Sequence, residues 1–162
     1  MLTELIRHPF PPLYSPDSRK LILGTMPSPV SRKNQFYYGH PQNRFWKVLS
    51  IVFQAPFPEN SKEKEKLILS QKLALWDVLS SCKISGASDS TINEPEANDF
   101  SKILNDSSIT AVFCTGRKAF DLYNNLCRDR TGIDSVLLPS TSPANQRVSF
   151  DYLVNAYRVL AR

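Results

Sequence analysis

The feature that most constrains the fold is a repeated order of short apolar runs and amphipathic segments. The short apolar runs predict buried strands; they are KLILGT (20–25), LALWDVL (73–79), ITAVFCTG (109–116) and the start of DSVLLPSTSPAN (134–145). Apolar residues recur at helical spacing in the segments between and after them, which are 42–53, 60–72, 99–106, 117–127 and 149–161. This order predicts an α/β fold of three layers, α/β/α, with a central, mostly parallel four-stranded sheet.

The segments that follow the predicted strands are polar and rich in proline. They read GTMPS, WDVLSS, CTGRK and PSTSPAN. Sheets of this kind bind ligands at the carboxyl ends of their strands, so we expect these segments to form one site. Two further stretches, 26–41 and 80–99, are polar, contain proline and are predicted to be long loops.

Length and composition predict one globular domain over residues 1–162, with a proline-rich arm at 1–19. The net charge of +5 permits a polyanionic partner but does not require one. Cys82, Cys114 and Cys127 are too few and too far apart for a disulfide framework or a four-cysteine metal site. With two histidines in the chain, we expect no metal, no iron–sulfur cluster and no cofactor.

No apolar run has the length of a signal-peptide core or a membrane span. We therefore expect a soluble monomer of the reducing cytoplasm, without a membrane segment. The chain also lacks the glycine-rich phosphate loops of nucleotide enzymes and the G-x-S-x-G of hydrolases. Ser28, Ser140 and Ser142, taken singly, are typical of turns in proline-rich loops.

The stretch YYGHPQNRFWKVLS (37–50) places rings and amides at the entrance of a predicted helix. Phe45 and Trp46 fit the helical core. Asn43 is a good helix cap, and Tyr38 could be an ordinary loop aromatic. Capping alone does not account for so many stacking and hydrogen-bonding groups at one helix start, which leaves a binding site as the other interpretation.

The strings GTMPS, YYGHPQNRFW, ALWDVL with SDSTI, and STSPAN together resemble the uracil-DNA glycosylase superfamily. The resemblance runs from the FPP at 10–12 to the last helix and is strongest to the hypoxanthine-DNA (deoxyinosine) glycosylase branch. The nearest other branch is that of the mismatch-specific uracil-DNA glycosylases. The resemblance implies a DNA repair glycosylase that acts on damaged double-stranded DNA by base flipping.

The resemblance also implies roles for individual residues. The base pocket would be formed by Gly24, Thr25, Met26, Pro27 and Ser28, with Tyr38 stacking on the extruded base. Asp77, after the second strand, could accept a hydrogen bond from N1–H of hypoxanthine or simply cap the next turn. The second loop would press on the DNA backbone and enter the minor groove; it consists of Ser140, Thr141, Ser142, Pro143, Ala144 and Asn145.

One position departs from most relatives, which carry Asp or Asn in the first loop to activate or position water. This chain has Met26 there, so the resemblance gives the main catalytic role to Asn43 within HPQN. A neutral amide is a poor proton acceptor, and we expect catalysis by positioning and electrostatics. No lysine is marked as a Schiff-base former, which predicts a monofunctional glycosylase.

Two alternatives keep part of this interpretation. The substrate could be uracil or xanthine in mispairs, or the chain could be a non-catalytic module that binds damaged DNA. Arginine and lysine side chains near the loops are candidates for phosphate contacts, with solvated surface charge as the other explanation; they are Arg44, Arg117, Lys118 and Arg147.

Overall fold

The computed structural model describes residues 3–85 and 88–162. In these ranges the strands are β1 Glu4–Arg7, β2 Lys20–Gly24, β3 Leu73–Asp77, β4 Leu79–Ile84, β5 Asn93–Ala97, β6 Ala111–Thr115 and β7 Ser135–Leu138. The α-helices are α1 Pro29–Asn34, α2 Phe45–Val52, α3 Ser61–Ser70, α4 Ser101–Asn105, α5 Arg117–Leu126, α6 Arg128–Thr131 and α7 Phe150–Tyr157. Short 3₁₀ helices cover Asp89–Thr91, Pro143–Asn145 and Arg158–Ala161.

Strands β2, β3, β6 and β7 form a parallel sheet in the order β3-β2-β6-β7. Strand β2 is central, with Ile22 opposite Leu75 on one side and Phe113 on the other. Helices lie on both faces of this sheet. The prediction of a three-layer α/β/α fold with four central strands is confirmed, and all of these strands are parallel.

Side chains along β2 alternate between two apolar cores, as the two-residue period of a strand requires. Ile22 points into the core that contains α2, α3 and α7. Leu21 and Leu23 point into the core formed with α5 and β4. A sheet buried on both faces needs an unbroken apolar strand, which is why KLILG carries no alternating polar residues.

A second sheet, antiparallel and ordered β1-β4-β5, was not predicted. It contradicts the prediction of a loop over 80–99, of which residues 86 and 87 lie outside the described part. Strand β5 reads NEPEA, a composition with little strand preference. Pro95 is tolerated there because β5 is an edge strand that pairs with β4 alone.

The proline-rich arm is tied to both sheets. Strand β1 pairs with β4, with Ile6 opposite Cys82. Further along, the backbone of Leu13 exchanges two hydrogen bonds with Leu75 of β3, each 2.9 Å long. The arm therefore crosses from one sheet to the other, and His8 lies at the crossing.

The stretch 26–41 is not wholly a loop, because it contains α1. Ser28 caps this helix by accepting from the backbone N–H of Ser31, and Pro29 occupies its first turn. The helix ends at Gln35, whose φ of 58° is left-handed. Among the described helices, none is long and apolar enough to cross a membrane.

Candidate functional site

A cavity of about 780 Å³ opens at the carboxyl ends of the parallel strands. This size is in the usual range for small-ligand sites. All residues predicted for the base pocket, for catalysis and for the second loop line it; they are Gly24, Thr25, Met26, Pro27, Ser28, Tyr38, Asn43, Asp77 and Ser140 to Asn145. The structure therefore brings these groups together, while their individual roles stay predictions.

The floor of the cavity is crowded around Gly24. A Cβ atom at this position would lie 2.6 Å from Oδ1 of Asp77 and 3.4 Å from the hydroxyl of Tyr38. The first distance is too short for any side chain, so only glycine allows the carboxylate to approach the strand end so closely. The backbone carbonyl of Gly24 accepts from Val78, which fixes the end of β2 against the end of β3.

The rest of the first loop is held by its own contacts. The hydroxyl of Ser28 is used in capping α1 and donates to Ser31 Oγ at 3.2 Å. Arg32 donates from Nη1 to the carbonyl of Pro27 at 2.9 Å. Met26 packs against the core beside α5, so its side chain offers no hydrogen-bonding group to the cavity.

Tyr38 stands on the wall of the cavity in a strained backbone conformation, with a φ of 52°. Its ring stacks on Phe45, with centroids 3.8 Å apart and planes inclined by 13°. Its hydroxyl lies 3.3 Å from Oγ1 of Thr115. Burial, and then the charge of Asp77, raises the pKa of Tyr38, so the phenol stays protonated. Left-handed residues other than glycine often occur at functional sites.

The side chain of Asn43 is oriented by two donors. Its Oδ1 accepts from the backbone N–H of Phe45 at 2.9 Å and from Oγ1 of Thr141 at 2.8 Å. A backbone N–H can only donate, so the oxygen must face Phe45 and the amide cannot be flipped. Within residues 3–85 and 88–162, Nδ2 has no hydrogen-bond partner. The amide thus offers a donor at the cavity wall.

The second loop is held in shape by hydrogen bonds among its own residues. Ser140 Oγ accepts from the N–H of Ser142 at 3.1 Å, and Ser142 Oγ accepts from the N–H of Ala144 at 3.2 Å. Asn145 donates from Nδ2 to the carbonyl of Ser140 at 2.9 Å. The hydroxyls and amide of this loop are therefore first of all structural, and the prediction of their DNA contacts stays a prediction.

Arg44 differs from its predicted role. Its guanidinium donates to the carbonyl of Val148 at 2.7 Å and to that of Asn145 at 3.0 Å. It thus joins the start of α2 to the second loop instead of pointing into solvent for a phosphate. Arg117 lines the cavity over the ring of Phe120, 5.6 Å from its centroid. Neither Lys118 nor Arg147 is among the cavity-lining residues.

His8 is the functional neighbour that the sequence did not reveal. Its Nε2 lies 2.7 Å from Oδ2 of Asp77, and its Nδ1 lies 2.8 Å from the carbonyl of Phe10. The pair is buried, with 5% of the His8 side chain and 6% of the Asp77 side chain exposed. In residues 3–85 and 88–162, no backbone N–H donates to the Asp77 carboxylate, so the alternative role of capping the next turn is not observed. No sequence signal links two residues 69 positions apart.

A second carboxylate reaches the cavity from the connection between β4 and β5. This carboxylate belongs to Asp89, which lines the cavity. Desolvation, together with the charge of Asp77, raises the pKa of Asp89. A hydrogen bond with Thr25 acts in the opposite direction. In the described ranges, no group of three or more His, Cys, Asp or Glu residues is arranged to hold a metal ion.

The profile of the uracil DNA glycosylase superfamily matches residues 11–161. The chain belongs to this superfamily. Hypoxanthine DNA glycosylase from Methanosarcina acetivorans is 35% identical over 147 residues, covering 90% of this chain and 92% of the relative. The protein of the same name from Methanosarcina barkeri is 36% identical over 141 residues, covering 85% and 87%.

The fold of this superfamily member also matches a solved structure. The solution NMR structure of a candidate uracil DNA glycosylase from Methanosarcina acetivorans superposes with a TM-score of 0.79 at 31% identity. The match covers 98% of this chain and 100% of the other. The second sheet and the arm thus belong to a fold that is shared over nearly the whole chain.

Proposed function

We propose that this protein is a monofunctional DNA glycosylase that hydrolyses the N-glycosidic bond of deaminated bases, hypoxanthine before others, and leaves an abasic site. The observation that carries the proposal is Asn43, fixed by Phe45 and Thr141 so that its Nδ2 donor, at the cavity wall, has no partner among the described residues. Superfamily membership and the two relatives named hypoxanthine DNA glycosylase support the same substrate class.

The target base has to leave the duplex before it can enter the cavity. Unstacking costs a few kcal/mol and least at a mispair, so a deaminated base opposite its original partner is extruded most easily. Phe45 covers one face of Tyr38, and the other face is the one that a base would use. Stacking of this kind contributes about 1–3 kcal/mol per base.

Bond cleavage moves negative charge onto the departing base and positive charge onto the sugar. In the proposed reaction Asn43 Nδ2 donates to the base as its charge grows, in the manner of an oxyanion hole. Asp77 Oδ1, at the floor beside Gly24, accepts from the ring N–H of the base. Met26 supplies no base for the attacking water, so the transition state depends on these hydrogen bonds and on the DNA phosphates.

The monofunctional assignment is supported by the composition of the cavity wall. A glycosylase that also cleaves the backbone by a lyase step needs an amine to form a Schiff base. Among the described lining residues there is no lysine, and the basic residues are Arg32 and Arg117 together with His40. In the proposed reaction, water is the nucleophile.

The DNA itself would lie across the mouth of the cavity. In the proposed complex, the segment Ser140–Asn145 contacts the backbone and the minor groove beside the flipped nucleotide, and Arg117 contacts a phosphate. We also infer that residues 1–162 act as one domain, as a monomer in the reducing cytoplasm. The three cysteines are free and buried, which agrees with that compartment.

Asn43→Ala is the direct test. Loss of one such donor is expected to lower the single-turnover rate on a deoxyinosine–thymine duplex by about 10²–10³-fold. The matched control is Asn60→Ala, because the Asn60 side chain also accepts a backbone N–H at a helix start, from Glu63 at 2.8 Å, but Asn60 lies at the start of α3, away from the cavity. That variant loses about 1 kcal/mol of stability and keeps its rate.

A panel of duplexes separates the alternatives. Base release is measured by the wild-type protein on deoxyinosine, deoxyuridine, deoxyxanthosine and undamaged duplexes. Base release from deoxyuridine alone would show that uracil is the substrate. Binding to damaged duplexes without base release from any of them would show that the protein is a damage-binding module. An Asn43→Ala protein with the wild-type rate on deoxyinosine would remove that residue from the mechanism.

A further inference from the structure

His8 reaches Asp77, a residue of the cavity floor, from outside the parallel sheet. It follows β1, its backbone N–H donates to the carbonyl of Ser80 at 2.7 Å, and its ring packs edge-on against Phe10. The second sheet and the arm thus deliver an imidazole to the floor of the base pocket, directly behind Asp77. The contacts of this ring determine where the protons of the pair can be.

The carbonyl oxygen of Phe10 can only accept, so Nδ1 of His8, 2.8 Å away, must carry a hydrogen. One proton then lies between Nε2 and Oδ2 of Asp77, which are 2.7 Å apart. The pair is either an imidazolium with a carboxylate or an imidazole with a carboxylic acid. In the second form the acid proton is on Oδ2, because that oxygen faces the Nε2 lone pair.

Both forms leave Oδ1 of Asp77 without a proton. Oδ1 is the atom that lies 2.6 Å from the position of a Cβ at Gly24, on the side of the cavity. It is therefore an acceptor whichever member of the pair is charged. An acceptor at this place favours a base edge that presents a ring N–H and opposes one that presents a ring nitrogen lone pair.

We propose that His8 is a positioning residue that keeps Asp77 Oδ1 an obligatory acceptor, and thereby selects bases with a lactam N–H, the group that deamination of adenine creates at N1. The inference rests on the proposed function, since it concerns how that pocket chooses its base. Adenine has a lone pair at N1, where hypoxanthine has N1–H. Without His8, the carboxyl group is free to turn or to place a proton on Oδ1.

The test compares deoxyinosine with deoxynebularine, a purine nucleoside with a lone pair at N1 and no oxygen at C6, each opposite thymine. His8→Phe keeps an aromatic ring beside Phe10 and Tyr37 but removes both hydrogen bonds. The deoxyinosine-to-deoxynebularine ratio of single-turnover rates is expected to fall by about tenfold or more, the value of one lost hydrogen bond. His8→Gln, which retains an N–H donor, is expected to lie between His8→Phe and the wild type.

The affinity for an abasic duplex distinguishes positioning from folding. An abasic duplex has no base to contact Asp77, so the affinity of His8→Phe for it should lie within about twofold of the wild-type affinity. A disturbed fold that weakened binding by 1.4 kcal/mol would instead lower the affinity about tenfold. An unchanged rate ratio, or an equal loss of rate on both nucleosides, would overturn the proposal. If His8→Phe does not fold, the ratio measured for His8→Gln decides in the same way.

Asp77→Asn gives an independent check on the proton argument. Neutral His8 with hydrogen on Nδ1 can accept from the new amide N–H, which keeps the amide oxygen toward the cavity. The deoxyinosine-to-deoxynebularine rate ratio of Asp77→Asn should therefore stay near the wild-type ratio, even if both rates are lower. In the double variant with His8→Phe, this ratio should fall. A collapsed ratio in Asp77→Asn alone contradicts the inference. Absence of base release by the wild-type protein on every duplex would instead refute the proposed function, before any variant is compared.

Discussion

Gly24 determines how closely the polar groups at the cavity floor can approach one another. Asp77 cannot retreat from an added methyl group, because its other carboxylate oxygen is held by His8 at 2.7 Å. The hydroxyl of Tyr38 borders the same space. A side chain at position 24 would therefore displace the groups that are proposed to contact the base.

Gly24→Ala is expected to lower the single-turnover rate on deoxyinosine by about 10²-fold, since a misplacement of about 1 Å has effects of that size. The matched control is Gly132→Ala. Gly132 has a φ of 72°, and no atom of the described residues lies within 4 Å of an added Cβ, so this change costs about 1 kcal/mol through backbone strain and leaves the rate unchanged. Thermal unfolding and the rate are measured for both; equal rates in the two variants would contradict the steric argument.

At the level of elements, α2 and the loop after β7 form one unit. The backbone N–H of Arg44 donates to Thr141 at 3.1 Å, and its guanidinium binds two further carbonyls of the loop. On the other side, the hydroxyl of Tyr157 in α7 donates to the carbonyl of Pro139 at 2.6 Å. Both ends of the loop are thus fixed to helices of the same core.

Arg44→Ala and Arg117→Ala are expected to differ in the salt dependence of DNA binding. Loss of a phosphate contact reduces the slope of log K against log salt by about 0.9, and we expect this for Arg117→Ala. Arg44→Ala should weaken binding to an abasic duplex with the slope unchanged, because it releases a loop and removes no phosphate contact. A reduced slope for Arg44→Ala would show that this arginine reaches the DNA.

At the scale of the whole molecule, all three thiols lie in the core formed with α5 and β4 and report on its integrity. Burial raises the pKa of Cys114 to about 12 and the pKa of Cys127 to about 11, from the ordinary value of 9.0. Burial also raises the pKa of Cys82. The folded state therefore keeps these thiols protonated at pH values where the unfolded chain ionises them.

A thiol reagent at pH 8 is accordingly expected to leave the native protein unmodified and to titrate all three cysteines after unfolding. The raised pKa values of Cys114 and Cys127 stabilise the folded state. This contribution is present in full below pH 9 and is lost as the pH rises through 11 and 12. The free energy of unfolding, measured by denaturant titration, should decrease over that range. Rapid modification of the native protein at pH 8 would contradict the burial of these side chains.

The parallel sheet was predictable because its strands are buried on both faces and therefore read as continuous apolar runs. The second sheet was not, since β5 is polar, serine and lysine interrupt the apolar residues of β4, and β4 is stabilised by pairing with distant residues, as between Ile6 and Cys82. The helix α1 was also missed, although Ser28 and Pro29 form a recognisable helix start. Local sequence predicts a strand poorly where its partner supplies the stability.

For the site, the sequence predicted the place and the residues that share it, because polar segments at strand ends converge in this fold. It did not predict which protein groups hold these side chains and loops in place. Arg44 turned out to hold a loop, and His8 turned out to hold Asp77. Such pairings depend on the tertiary arrangement of the arm and the second loop, which no local pattern encodes.

The anchoring of Asn43 also bears on how this pocket can evolve. Both restraints act on the side-chain oxygen, through the N–H of Phe45 and the hydroxyl of Thr141. An aspartate satisfies the same two donors, and its second oxygen takes the place of Nδ2. A single replacement at position 43 therefore exchanges a hydrogen-bond donor for a proton acceptor without rebuilding the wall. In this scaffold, lineages can change catalytic strategy at one residue while the supporting contacts are inherited intact.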